Sequence, residues 1–255
     1  MSDVRTGRLM KAEIAEQPAV LQGMLDRLPS FAHDLSSMLP ERPRGVVLVA
    51  SGSSRHAATY WRYIIEVGAG IPTALFAPSV ASLYRSSPSY DGWLCVALSQ
   101  SGRTQEIVDA ATAIGAAGAT VLSVTNDGGS PLAEVAHLVW PLEGGCERAV
   151  PATKTVTAQF VSAFAALEAF GGHLPRDLAL LPYFVEAVIR DRRSIDRTAH
   201  TLTSAASLVV LGRGMSCAAA EEAALKIKET TGVPTEAYSA AEFQDGPIAT
   251  VRRSR

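Results

Sequence analysis

The sequence predicts an α/β protein built around a parallel sheet with helices on both faces, and it predicts that this unit occurs twice in tandem. Two observations carry the prediction. Short, unbroken apolar runs of strand length alternate with longer stretches of helical spacing, the order that a parallel sheet with crossover helices requires. The chain also matches itself, because an offset of 162 residues lays LVASGSSRHAA (48–58) on VLGRGMSCAAA (210–220). At that offset Gly52 meets Gly214, Ser54 meets Ser216, Ala57 meets Ala219 and Ala58 meets Ala220. With no gap, Gly70, Pro72 and Thr73 then meet Gly232, Pro234 and Thr235. These identities fall at strand ends and turns, where the backbone tolerates least, so they read as a duplication.

Each element follows in order. Residues 8–38 place Ile14, Leu21, Leu25, Leu28 and Leu35 at helical spacing among charges, a helical lead-in that Pro18 is expected to kink or restart. VVLVA (46–50) is β-branched and apolar throughout, as a strand covered on both faces must be, and SGSSRHAATYWRYIIEVGAG turns out of it into a helix. IPTALFA (71–77), WLCVALS (93–99), ATVLSVTN (119–126) and AHLVWPL (136–142) supply further strands, separated by helical stretches such as QEIVDAATAIGAAG. A longer helix is expected from Thr153 to Phe170, then Gly171, Gly172 and Pro175 punctuate the chain, and another helix covers about 178–200. The parts are therefore a helical lead-in over 1–45, a first unit over 46–172 and a second over 173–255. Since Arg255 stands opposite Trp93 at the repeat offset, the second copy is expected to be truncated before the counterpart of WLCVALS.

Composition bounds the function. At 255 residues, 47% hydrophobic and 19% charged, the chain has the make-up of a globular protein and not of a disordered, collagenous or coiled-coil one. Its 23 basic and 25 acidic residues leave a net charge of −2, which offers no broad footprint for nucleic acid or anionic lipid. An anionic ligand must then be held by local geometry. No run approaches the ~18 apolar residues of a membrane span, and the first residues lack the apolar stretch of a signal peptide, so the cytoplasm is the expected compartment. Cys95, Cys146 and Cys217 are odd in number and lack metal-ligand spacing. They suggest neither disulfides nor a metal site and read as small buried apolar residues.

Three turns after strands are rich in hydroxyls: Ser51–Ser54, Ser99–Thr104, and Thr125, Asn126 and Ser130. In parallel sheets ligands bind at the carboxyl ends of strands, and the first two turns also open helices whose free N–H groups favour an anion. A single Ser or Thr is an ordinary cap or turn former. SQSGRT, however, puts Ser99, Gln100, Ser101 and Thr104 with Gly102 into six residues, more than a cap needs and suited to a phosphate's several acceptor oxygens. The Walker lysine is absent, and GRGMSC (212–217) lacks the third glycine of a dinucleotide fingerprint. In the second copy, EEAALKIKETTG sets Lys226 and Glu229 three residues apart, with Glu222 a turn behind. Such pairs are common on surface helices, yet this helix follows its strand as the first one follows the hydroxyl-rich loop. A glutamate beside a lysine there is a plausible base for moving a proton between adjacent carbons.

AEIAEQP, ASGSSRHAA, LSQSGRTQEIVDA, VPATKTVTAQF, LGRGMSCAAAEEAALKIKETTG and EAYSAAEFQDGPIA, taken in order over about 11–251, resemble the tandem sugar isomerase (SIS) domain family. That family includes the isomerase half of glucosamine-6-phosphate synthases and the SIS-type aminosugar-phosphate deaminases. The resemblance implies a doubly wound, flavodoxin-like parallel sheet in each copy and a hexose 6-phosphate site in the first. Ser54, Ser99, Gln100, Ser101 and Thr104 match the phosphate loops, and Gly52, Ser53, Val150 and Ala152 match positions lining the sugar. Glu229 matches the proton shuttle between C1 and C2, and Lys226 the lysine that assists it. Asp245 stands where the synthase has a ring-opening histidine, so that step falls to Asp245, to another group, or is lost. Residue 2 is Ser2 and not the cysteine nucleophile of a glutaminase domain, and the family's imine-forming lysine would lie beyond residue 255. The expectation is a cytoplasmic, homodimeric aminosugar-phosphate isomerase or deaminase that uses no metal or other cofactor. A non-catalytic sugar-phosphate sensor and an inactive truncated product are the alternatives. His56 reads as structural, and Glu143, Glu147 and Arg148 as solvated charges.

Overall fold

The protein is described by a computed structural model covering residues 7–39, 42–86 and 88–252. It divides into two compact units, Met1–Glu186 and Ala187–Arg255.

The first unit opens with α1 (Arg8–Met38), which buries Leu21, Met24, Leu28, Phe31, Ala32 and Leu35 along one stripe. The helix is not restarted at Pro18: it runs on through both Pro18 and Pro29. Proline removes the N–H that the Ile14 carbonyl would otherwise accept, and the Gln17 side-chain amide donates to that oxygen instead (3.2 Å). Packing of the stripe against α6 (Lys154–Ala169) supplies the rest.

Five strands follow: β1 (Gly45–Ala50), β2 (Thr73–Leu75), β3 (Trp93–Leu98), β4 (Thr120–Thr125) and β5 (Leu138–Pro141). They form one parallel sheet in the order β2-β1-β3-β4-β5. Helices α2 (Ser53–Ala69), α3 (Ser79–Ser82), α4 (Gln105–Ala116) and α5 (Pro131–Glu134) connect them. All six residues of β1 are buried, which explains why its sequence shows no alternation. Val46, Leu48, Leu94, Val96 and Leu98 join α1, α2 and α6 in one core. Val47, Val49, Cys95 and Ala97 join α4 in a second, on the other face of the sheet. The chain leaves β1 towards β2 on one side and returns to β3 on the other. The β1/β3 boundary is thus the switch point of a doubly wound sheet, where carboxyl-end crevices form.

The expected helix over 178–200 is instead three pieces: a 3-10 turn at Leu178–Leu180, α7 (Leu181–Arg190) and α8 (Arg192–Leu202). Asp191 divides the last two because its carboxylate accepts the Ser194 N–H (3.1 Å) and so starts a new helix.

The second unit holds β6 (Leu208–Gly212), α9 (Ser216–Thr231), β7 (Thr235–Ser239), α10 (Ala240–Gln244) and α11 (Ala249–Arg252). Here the repeat is visible in the backbone. Val46 pairs with Thr73 and Leu208 with Thr235, the same register one repeat later. Gly52 and Gly214 have φ of 56° and 58°, and Gly70 and Gly232, which end α2 and α9, have φ of 63° and 73°. Thr73 and Thr235 each turn the hydroxyl back onto the carbonyl two residues earlier, at 3.1 and 2.9 Å.

The cysteines do not share one environment. Cys95 is buried, but Cys146 is exposed and Cys217 half-buried, because neither of those lies on a strand or inward helix face. Among the described residues no helix is long and apolar enough to cross a membrane.

Candidate functional site

The Ser99–Thr104 turn leaves β3 at the switch point and enters α4. Leu98, the residue before it, pairs with Ala50, so the turn and the start of α2 stand at neighbouring strand ends. Ser99 is buried, and its hydroxyl accepts the Gly102 N–H (3.1 Å); Ser101 Oγ accepts the Arg103 N–H (3.2 Å). Gly102 has φ 62° and sits so close to Ser130 that a Cβ would fall 2.0 Å from its hydroxyl oxygen. Only glycine serves there. The turn is also tied to the loop after β4, since Asn126 N–H and the Thr125 hydroxyl both donate to the Gln100 carbonyl, at 3.0 and 3.3 Å. Arg103 pairs with Asp127 at 2.7 Å, and that guanidinium, followed by the Gly129 N–H, holds the Asp127 carboxyl below its usual range.

The ordinary role for these hydroxyls would be helix capping, and the geometry assigns it to Ser130 alone of the three turns: its Oγ accepts Ala133 N–H at the start of α5. Thr104 and Gly52, the N-caps of α4 and α2, supply no side-chain cap. Within those first turns the Arg55 N–H donates to the Gly52 carbonyl and the Ile107 N–H to the Thr104 carbonyl (2.9 Å each), so what both helices offer an anion is the positive end of the helix. Ser54 is buried in the first turn of α2, with Ser53 half-buried beside it and Gly52 held at φ 56° and ψ −139°, a conformation few other residues adopt.

Val150 and Ala152 lie on the connection from β5 to α6. Arg27 of α1 grips its beginning, donating to the Pro141 carbonyl (3.0 Å) and pairing with Glu143 (3.1 Å). Asn126 holds the next two residues, accepting Gly144 N–H (2.8 Å) and donating to Gly145 O (2.7 Å). Through Asn126 this connection is thus bonded to the same loop that holds Gln100. Val150 is 86% exposed and Ala152 half-buried.

Glu147, Lys154 with its partner Glu16, and Glu13 support this connection in ways not foreseen from the sequence. Glu147, expected to be a solvated charge, is half-buried and accepts from the N–H and hydroxyl groups of Thr153 and Thr155, capping α6 from outside the helix. Lys154 is buried, donating to Glu16 (2.6 Å) and to the Cys146 carbonyl (2.9 Å). Glu13 is buried and accepts the Arg148 and Ala149 N–H groups. The signal for Glu13 lies in its phase: it stands two turns before Leu21, on the stripe that the rest of α1 buries.

In the second unit, Lys226 on α9 bonds to Glu229 (2.6 Å) and pairs with Glu222 (3.2 Å). The lysine thus sits between two carboxylates, fixing that of Glu229 by charge. Asp245 is exposed at the C-cap of α10, where its N–H donates to Glu242 O (3.1 Å). Among the described residues no hydrogen bond or ion pair links it to Lys226 or Glu229.

The profile of the SIS domain matches residues 41–169 and 201–255. Glutamine–fructose-6-phosphate aminotransferase (isomerizing) from Gloeobacter violaceus is 34% identical over 260 aligned positions, which take in 94% of this chain and 42% of that protein. The chain therefore spans well under half the length of such relatives. Among solved structures, a candidate phosphosugar isomerase from Silicibacter pomeroyi DSS-3 superposes with TM-score 0.87 and 37% identity, over 96% of this chain and 75% of that one. The C-terminal domain of glucosamine-fructose-6-phosphate aminotransferase from Francisella tularensis shares the fold (TM-score 0.82, 23% identity, 95% and 73% covered).

Proposed function

The chain belongs to the SIS domain family, and from that premise we propose that it is a sugar-phosphate isomerase-type enzyme acting on an aminosugar phosphate of the glucosamine 6-phosphate type. The observation that carries this is the SQSGRT turn, whose hydroxyls and glycine stand at the β1/β3 switch point beside a helix start that no side chain caps. Ser54, Ser99, Gln100, Ser101 and Thr104 hold the phosphate, and Gly52, Ser53, Val150 and Ala152 line the sugar. The dianion needs no arginine or lysine in its shell, because the positive ends of α2 and α4 supply part of the compensation.

Glu229 removes the proton from C2 of the open-chain aminosugar and returns it to C1. The C2 imine so formed is hydrolysed, giving the ketose phosphate and ammonia. Lys226 holds the carboxylate in place between these transfers, and Asp245 is the candidate for opening the ring. Every proton that leaves is returned or exchanged with water, so the scheme calls for no cofactor. A cytoplasmic homodimer is the setting that the family resemblance implies. A sensor that binds the same ligand without turnover is the second reading, favoured by an exposed aspartate at the ring-opening position.

Ammonia and ketose phosphate released from glucosamine 6-phosphate, measured beside calorimetric binding, test the proposal. Glu229→Gln should abolish release while keeping substrate affinity within a few-fold. Binding without release in the wild type selects the sensor, and absence of binding removes both readings.

A further inference from the structure

Glu13 is 4% exposed, yet it belongs to no ordinary core. A carboxylate that has given up its hydration needs strong partners, and here they are two main-chain N–H groups, those of Arg148 and Ala149, more than 130 residues along the chain. The same segment is fastened twice more. Lys154, 1% exposed, bridges the Cys146 carbonyl and Glu16, and Glu147 is bound by Thr153 and Thr155. Residues 146–149 and 153–155 are thereby fixed from both sides. Between them lie Val150, 86% exposed, and the half-buried Pro151 and Ala152.

We infer that Glu13 is a positioning residue for the sugar part of the ligand, fixing the 148–152 segment so that Val150 and Ala152 meet the hexose. The phosphate part is held by Ser54 and the 99–104 turn, outside the bonds that Glu13 makes. The inference rests on the proposed function above and deepens it: Asn126 ties both the sugar segment and the phosphate turn to the loop after β4, but Glu13 anchors only the sugar segment on α1.

A support that only one segment has makes the two affinities separable. Calorimetric titration of the 255-residue protein with inorganic phosphate and with glucose 6-phosphate gives the ratio of the two, which reports the sugar contribution alone. Glu13→Gln should leave the phosphate affinity within about twofold and weaken glucose 6-phosphate about tenfold, the size of one charge-assisted hydrogen bond to a positioned N–H. Val150→Ala should reduce the ratio as well, and the double variant should lose less than the product of the two, since Glu13 acts through that segment. An unchanged ratio, an equal loss for both ligands, or multiplicative effects in the double variant would each overturn the inference. Should Glu13→Gln lack a cooperative melt, Glu13→Asp keeps the charge, shortens the arm and is held to the same ratio. A wild type that binds phosphate but gains nothing from the sugar ends this inference only; one that binds neither ends the proposed function with it.

Discussion

Replacing Gly102 by alanine isolates what the phosphate turn demands of its backbone. At φ 62° the new side chain enters the left-handed region, which costs about 1–2 kcal/mol. Its Cβ would also fall 2.0 Å from Ser130 Oγ, 2.5 Å from Ser130 Cβ and 2.9 Å from Thr125 Oγ1. None of these can withdraw freely. Ser130 is fully buried and caps α5, while the buried Thr125 hydroxyl donates to Gln100 O and accepts Asp127 N–H. Overpacking of that kind adds about 1–3 kcal/mol, for a total of about 2–5 kcal/mol. At about 2–4 °C per kcal/mol, the melting temperature should fall by roughly 4–20 °C. Urea unfolding followed by circular dichroism measures the loss. The cause is separated by Ser130→Gly, which removes the two nearest atoms at a cost of about a few tenths of a kcal/mol for the lost cap. In the Gly102→Ala background that second substitution should cost less than it does alone, a coupling of about 1–3 kcal/mol. Melting unchanged within about a degree, or strict additivity in the cycle, would refute the steric argument and with it the reason for glycine in SQSGRT.

Further outcomes follow from the buried groups. Glu16→Gln should destabilise more than Lys154→Met, by about 1–2 kcal/mol in urea unfolding, because the first leaves a buried ammonium without its counter-charge, held by the Cys146 carbonyl, while the second frees a carboxylate that is 53% exposed; the reverse order would contradict the burial of Lys154. Native-state alkylation should modify Cys146 quickly, Cys217 more slowly and Cys95 only after denaturation, as read by mass spectrometry of labelled peptides. Burial pushes the Cys95 thiol up to about 12 from an ordinary 9.0. The folded state thus keeps its neutral form, so the contribution to stability is whole below about pH 9 and is lost as pH rises from there towards 12. Cys95→Ala should flatten the decline of urea midpoint over that window.

What the sequence discloses follows the range of the interactions behind it. The β1 run VVLVA and the paired glycines of the two copies can be read because a strand covered on both faces, or a left-handed turn, writes its demand on a few consecutive residues. The hydroxyls of residues 99–104 are legible for the same reason, all of them lying on one turn after one strand. The continuation of α1 through Pro18 is not, since it depends on the Gln17 amide replacing a lost donor and on packing against α6. Nor is the break at Asp191, where an ordinary surface carboxylate becomes a cap. Hardest to see is the support of Val150 and Ala152. Glu13 and Glu16 reach partners 135 to 138 positions away; the place of Glu13 in the buried phase of α1 announces its role, while the exposed Glu16 carries no such sign. The two halves of ligand recognition thus differ in kind: the phosphate turn shows its hydroxyls in six consecutive residues, although the loop after β4 braces it. The sugar segment is written across the first unit, so substitutions in α1 that touch no ligand should alter which sugar is preferred before they alter whether phosphate is bound.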